Sequence, residues 1–168
     1  MPTDFHSLFA ALEARKLRYV VVGGLALVLH GVDRLTADID LAVDLAPEAA
    51  ASLIATLLSA GFRPAAPVNA MLFADPAARA AWRRERGMRV FSLWDTTGTR
   101  PTIDLFAESV IPFEDLWRNA ITIEIAQNLT IRVASIPHLI QLKEIAGRPQ
   151  DLADIERLRA ILSRRTDV

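Results

Sequence analysis

Three aspartates stand inside otherwise apolar stretches, and their spacing points to metal chemistry. Asp38 and Asp40 flank Ile39 at the head of Ile39-Asp40-Leu41-Ala42-Val43, and Asp104 interrupts Ile103-Asp104-Leu105-Phe106. Residues two apart in a strand project to the same face, so Asp38 and Asp40 share a side. Like charges that close repel and are costly to desolvate unless a positive charge lies between them. A divalent cation meets that need, and all-oxygen ligands suit Mg²⁺ or Mn²⁺ rather than zinc. If the strand carrying Asp104 lies beside the one carrying Asp40, three acids converge, a layout suited to two-metal phosphoryl transfer. Singly, each acid also reads as a solvated strand edge. Gly23-Gly24 follows the apolar run Tyr19–Val22 and opens a helical pattern. Glycines there allow close backbone approach to a ligand such as a triphosphate. Neither G-x-G-x-x-G nor a P-loop is present.

The elements that must position these groups follow from periodicity. A helix is expected over residues 3–17 with Thr3 as its cap, then a buried strand at 19–22 and a helix over 25–30 closed by Gly31. Alternation gives a strand at 39–43, and Pro47 opens a helix over 47–60. Residues 62–73, with Pro64 and Pro67, hold one or two short strands, and 76–86 form an arginine-rich helix. Strands at 88–94 and 102–106 make one hairpin, and strands at 121–125 and 129–133 make a second after a short helix over 113–119. From Ser135 the pattern is helical: one helix to Gly147 and another over 151–162. The fold class expected is α/β (α+β): a small mixed twisted sheet, helices on one face and a C-terminal helical pair. Residues 1–134 form the core, and 135–168 a helical segment closing the cleft within the same domain.

Composition narrows the class. The chain has 168 residues, 52% hydrophobic and 23% charged, with a formal net charge of -1 and no cysteine. Disordered and collagen-like chains are excluded, as are disulfides and thiolate metal sites. No signal peptide is legible at Met1–Asp4 and no run approaches a membrane span, so a cytoplasmic location is expected. The small net charge is a cancellation: acids gather at 38–48 and 104–115, arginines at 79–89.

Gly23-Gly24 followed by Asp38-Ile39-Asp40, with Asp104 on a later strand, resembles the polymerase beta-like nucleotidyltransferase superfamily. Arg34-x-Thr36-x-Asp38-Ile39-Asp40 is similar to its small bacterial members. The stretch from Gln141-Leu142-Lys143 to Asp151-Leu152-Ala153-Asp154 resembles the tail of the abortive-infection type IV toxin (AbiEii-like) nucleotidyltransferases. The resemblance spans about residues 17–160. It implies that Asp38, Asp40 and Asp104 are catalytic and bind the metals, and that Asp104 assists deprotonation of the acceptor hydroxyl. It implies nucleotide contacts by Gly23, Gly24, Arg34, Lys143 and Asp151 or Asp154. It further implies an NTP as substrate, an RNA acceptor such as a tRNA 3′ end or a protein acceptor, and a cognate antitoxin protein as partner. A small antibiotic-type acceptor and a non-catalytic nucleotide- or partner-binding domain are the alternatives.

Other residues carry weaker signals. Lys143 is one of only two lysines and either binds phosphate or reaches solvent. Arg34 pairs with Asp38 or a phosphate. Arg79, Arg83 and Arg86 share a helix face, either solvated or, with Trp82 and Trp94, a nucleic-acid contact. His30 sits at a helix C-terminus and reads as a dipole partner before a catalyst. Should Asp104 face the wrong way, Glu108 and Asp95 are the substitutes.

Overall fold

The computed structural model describes residues 5–166, so the Thr3 cap lies outside the described residues. Along them run α1 (His6–Ala14), β1 (Tyr19–Val22), α2 (Gly23–Leu29), β2 (Ile39–Val43), α3 (Pro47–Ser59) and β3 (Phe62–Pro64). After a 3₁₀ turn (Ala70–Ala74) come α4 (Pro76–Arg86), β4 (Val90–Asp95), β5 (Ile103–Phe106), α5 (Phe113–Asn119), β6 (Ile121–Ala126), β7 (Leu129–Val133), α6 (Ile136–Ala146) and α7 (Pro149–Thr166). The strands form one mixed seven-stranded sheet in the order β3-β4-β5-β2-β1-β7-β6. Strands β2 and β5 pair in parallel, as do β1 and β7, and the other neighbours are antiparallel.

Register divides the sheet into two unlike faces. Tyr19 pairs with Val43, Val21 with Leu41, Ile39 with Ile103, Leu41 with Leu105, and Phe91 with Leu105. All of these are buried. Residues paired across strands share a face, so this side is continuous and apolar. The buried residues of α1 (Leu8, Phe9, Leu12) and α3 (Leu53, Ile54, Leu57) join the same core, and Phe9 stacks on Tyr19 with ring centroids 5.7 Å apart. The alternate residues, Asp40, Asp104 and Ser92, face the other way. A one-residue slip would drive both aspartates into the core and expose Ile39, Leu41, Ile103 and Leu105. Each loses about 1.5–3 kcal/mol of burial in that exchange, so the register is strongly fixed.

Several bounds differ from the periodicity. Residues 62–73 hold one short strand, because Pro64 fits only the sheet edge that β3 occupies. The 3₁₀ turn then starts where the Asn69 side chain accepts from the Met71 N–H. Helix α7 begins at Pro149, a residue suited to a first turn, and runs to Thr166. Near its end Arg165 donates to the His30 carbonyl.

Helix α2 begins at Gly23 itself, with φ +63°. A Cβ built there would stand 2.1 Å from Asp40 Oδ2. Both the backbone conformation and the space therefore demand glycine. Gly23→Ala is expected to lower unfolding free energy by about 2–4 kcal/mol in urea titration. An alanine variant as stable as the parent would contradict this packing.

Candidate functional site

The centre of the site is a line of three side chains across three strands. Asp40 of β2 and Asp104 of β5 are direct register partners, and Ser92 of β4 is the next partner along. The Ser92 hydroxyl donates to Asp104 Oδ1 at 2.6 Å. Asp38 precedes β2, is exposed, and lies close enough to raise the pKa of both Asp40 and Asp104. Burial, then the charges of Asp104 and Asp38, push Asp40 up to about 6, against the Gly24 N–H and Lys143, which pull it down. Burial also raises Asp104, the Ser92 hydroxyl works against that, and Asp38 adds to it.

Around these acids opens a cleft of about 590 Å³. Gly23, Gly24, Arg34, Asp38, Asp40, Asp104, Lys143 and Arg148 line it. The region 135–168 supplies one wall through α6 and the start of α7.

Four cations edge the cleft, and two buried acids hold three of them. Lys143 Nζ donates to Asp151 Oδ1 at 2.9 Å and to Asp154 Oδ2 at 2.8 Å. Arg34 donates to the same Asp154 oxygen at 2.5 Å. Arg148 Nε donates to Asp151 Oδ2 at 2.9 Å. Asp151 is fully buried and Asp154 nearly so. Burial works upward on Asp151, but Arg148 and Lys143 outweigh it and hold the carboxyl at about 2. Asp151, with Asp40 and Asp154 at longer range, raises the Arg148 guanidinium further. Arg148 and Lys143 thus both sit within electrostatic range of Asp40.

The sequence-derived candidates are brought together unevenly. Gly23, Gly24, Arg34, Lys143 and the three aspartates all border one cleft. Asp151 does not line it; its side chain faces Lys143 and Arg148 in the interior. Lys143 is buried and does not reach for solvent, and Arg34 pairs with Asp154 rather than Asp38. Asp104 shares the sheet face of Asp40 as its direct register partner. Asp95 is instead buried under Arg100, Thr97 and Thr99, and Arg100 foremost holds it below the usual carboxylate range. His30 is buried, its Nε2 2.8 Å from the Ala134 carbonyl, outside the cleft lining.

The arginine stripe is divided, and Arg86 is exposed with no side-chain partner among the described residues. Arg79 is buried and donates to the Phe73 and Leu45 carbonyls, and Arg83 pairs with Glu108 at 2.8 Å. Trp82 is buried against Phe91, whereas Trp94 is exposed. Two residues of the site escaped the sequence reading. Ser92 had a signal, a polar residue on the alternating side of a strand. Arg148 had none beyond its place between two helices.

The donor set suits a hard divalent cation: carboxylates only, two of them opposed in register, with Lys143, the Gly24 N–H and the Ser92 hydroxyl offsetting their charge only in part. As they stand, no group of three or more acids, histidines or cysteines among the described residues could hold a metal ion. The expected convergence is realised for Asp40 and Asp104, with exposed Asp38 beside them.

Sheet order, in-register acids and flanking glycines define a nucleotidyltransferase fold. Residues 6–168 match the family described as nucleotidyltransferase of unknown function (DUF6036), and the chain belongs to that family. Among solved structures it is similar to ANT(2")-Ia in complex with adenylyl-2"-tobramycin, at 17% identity and TM-score 0.59, covering 94% of this chain and 86% of that one. It is similar to the lincosamide antibiotic adenylyltransferase LnuA, lincomycin-bound, at 15% identity and TM-score 0.57, covering 92% and 94%. A putative nucleotidyltransferase from Thermotoga maritima matches at 18% identity and TM-score 0.56, covering 94% and 89%. At such identities the likeness concerns the fold. No curated protein matches the chain. No helix of the described residues is long and apolar enough to cross a membrane.

The raised Asp40 pKa has a consequence for stability. The folded chain holds this proton more tightly than the unfolded one, whose carboxyl titrates near 3.8. Stability of the metal-free protein therefore falls as pH rises from that value through about 6. Asp40→Asn should raise unfolding free energy at pH 7.5 by about 1–3 kcal/mol, and the gain should vanish below pH 4. Urea unfolding across pH checks this; a gain independent of pH would contradict it.

Proposed function

We propose that the protein transfers a nucleoside monophosphate from an NTP to an acceptor hydroxyl, with Mg²⁺ or Mn²⁺. The observation that carries this reading is the Asp40–Asp104 register pair, facing a cleft edged by Arg34, Lys143 and Arg148. Asp38, Asp40 and Asp104 would hold the metal ions, whose chemistry when bound is to neutralise charge on the attacking and leaving oxygens. In this reading Arg34, Lys143 and Arg148 take the phosphates, and Gly23 and Gly24 let the nucleotide approach the backbone. The acceptor oxygen bonds the α-phosphorus, the bond to the bridging oxygen breaks, and pyrophosphate leaves with the electron pair. Asp104 receives the hydroxyl proton. The segment 135–168 closes the nucleotide cleft.

The acceptor has two readings. The AbiEii-like resemblance gives an RNA end or a protein hydroxyl, with the protein as the cytoplasmic toxin of a type IV pair and an antitoxin as partner. The second is a small organic alcohol. Burial of Arg79, which takes one cation of the arginine stripe off the surface, is in keeping with it. The names of two structural neighbours, one bound to adenylyl-tobramycin and one a lincosamide adenylyltransferase, agree with it. Retention of all three acids speaks against a non-catalytic domain.

Incubation with labelled NTPs, Mg²⁺ and total RNA or small-molecule extract tests the reaction. Label should pass to an acceptor, Asp40→Ala should reduce transfer at least a thousandfold, and Lys143→Ala at least tenfold. Transfer unchanged in Asp40→Ala would overturn the reading.

A further inference from the structure

Resting on the nucleotidyl-transfer reading, we infer that the acceptor subsite is the apolar end of the cleft beyond Asp104, built for a small hydroxylated compound with an apolar body, neutral or anionic. Strand register places this end. Phe106 lies two residues past Asp104 on the same face, roughly 7 Å along the strand, and Val90 of β4 is its direct partner. Leu139 and Leu142 of α6 stand in the same lining, as does Val110, which is partly exposed. All five border the cleft that Asp104 and Asp40 border. Lys143, Arg148 and Arg34 gather with the glycines around Asp40, whereas the Phe106 end sets Arg89 and the Arg83-paired Glu108 beside its apolar residues. A triphosphate is matched by the first end, which leaves the second for the acceptor.

Charge at this end selects further. Glu108 lines it, but Arg83 pairs with that carboxylate at 2.8 Å. Arg89 also lines it, is exposed, and has no side-chain hydrogen bond or ion pair among the described residues. A polycationic amino sugar would meet Arg89 and find no unpaired acid outside the Asp38–Asp40–Asp104 group. A neutral or anionic compound meets no such opposition. The cleft, about 590 Å³ for nucleotide and acceptor together, has the size of small-molecule sites, roughly 300–1,000 Å³. With the acceptor body on Phe106 and Val90, its hydroxyl meets Asp104 and gives up its proton there. Its oxygen then bonds the α-phosphorus and pyrophosphate departs.

The test uses full-length protein, Mg²⁺ and α-labelled NTPs with three acceptors: tRNA, tobramycin, and the fraction of a bacterial extract below 1 kDa. Binding of an α,β-methylene NTP analogue is measured in parallel by calorimetry. Label should enter neutral or anionic compounds of the small-molecule fraction that are retained on a reversed-phase column. Phe106→Asp should cut that labelling at least tenfold while analogue affinity stays within twofold, and Phe106→Leu should restore most of it. Unaltered analogue binding shows that Phe106→Asp is folded. Label on tRNA or tobramycin, labelling indifferent to Phe106→Asp, or no labelling of the fraction while the analogue binds would each overturn the subsite. If wild type fails to bind the analogue, the transfer reading fails instead.

Discussion

Two carboxylates opposed in register on one face of a sheet are an electrostatic problem that the rest of the molecule is arranged around. Asp40 and Asp104 cannot move apart, because the residues alternating with them, Ile39, Leu41, Ile103 and Leu105, are locked into the core. The apolar face thus fixes the acidic one. Nearby groups offset the repulsion in part. The Gly24 N–H and Lys143 act on Asp40, and the Ser92 hydroxyl acts on Asp104. Burial and mutual repulsion still win, so the pair remains a place where added positive charge is strongly favoured.

The same charge sets the placement of the cations. Lys143, Arg34 and Arg148 stand on three different segments, yet two side chains, Asp151 and Asp154, tie them together. Both acids are buried; losing Asp154 leaves half-buried Arg34 without its partner, and losing Asp151 frees the more exposed Arg148. Such anchoring fixes long, flexible side chains before any anion arrives, which lowers the ordering cost of binding one. In this architecture α6 and α7 serve as a frame that presents positive charge to the acids of the sheet.

Much of this was legible in the chain. An acid interrupting strict alternation reveals a face, and so Asp38 and Asp40 could be placed on a common side, while the side taken by Asp104 waited on the pairing of β5 with β2. The glycine pair was legible as a point of close approach, although the group that approaches Gly23 is the Asp40 side chain. Partnership across long sequence separations was not legible. Periodicity says which side of α4 Arg79 occupies but not that the Phe73 and Leu45 carbonyls wait there. It places Asp151 on α7 but does not reveal that the residue faces Lys143 inside the fold rather than the cleft. Ser92 and Arg148 act through neighbours 12 and 3 residues away, and only the folded sheet and the α6–α7 turn give those contacts meaning.

The central claim is that the Asp40–Asp104 pair is a divalent-cation site coupled to nucleotide binding. Electron paramagnetic resonance of Mn²⁺, titrated into the protein with and without a non-hydrolysable NTP analogue, measures it directly. The account predicts protein-bound Mn²⁺ whose affinity rises at least tenfold with the analogue and is lost in Asp40→Asn and Asp104→Asn. Mn²⁺ binding equal in wild type and both variants would contradict it.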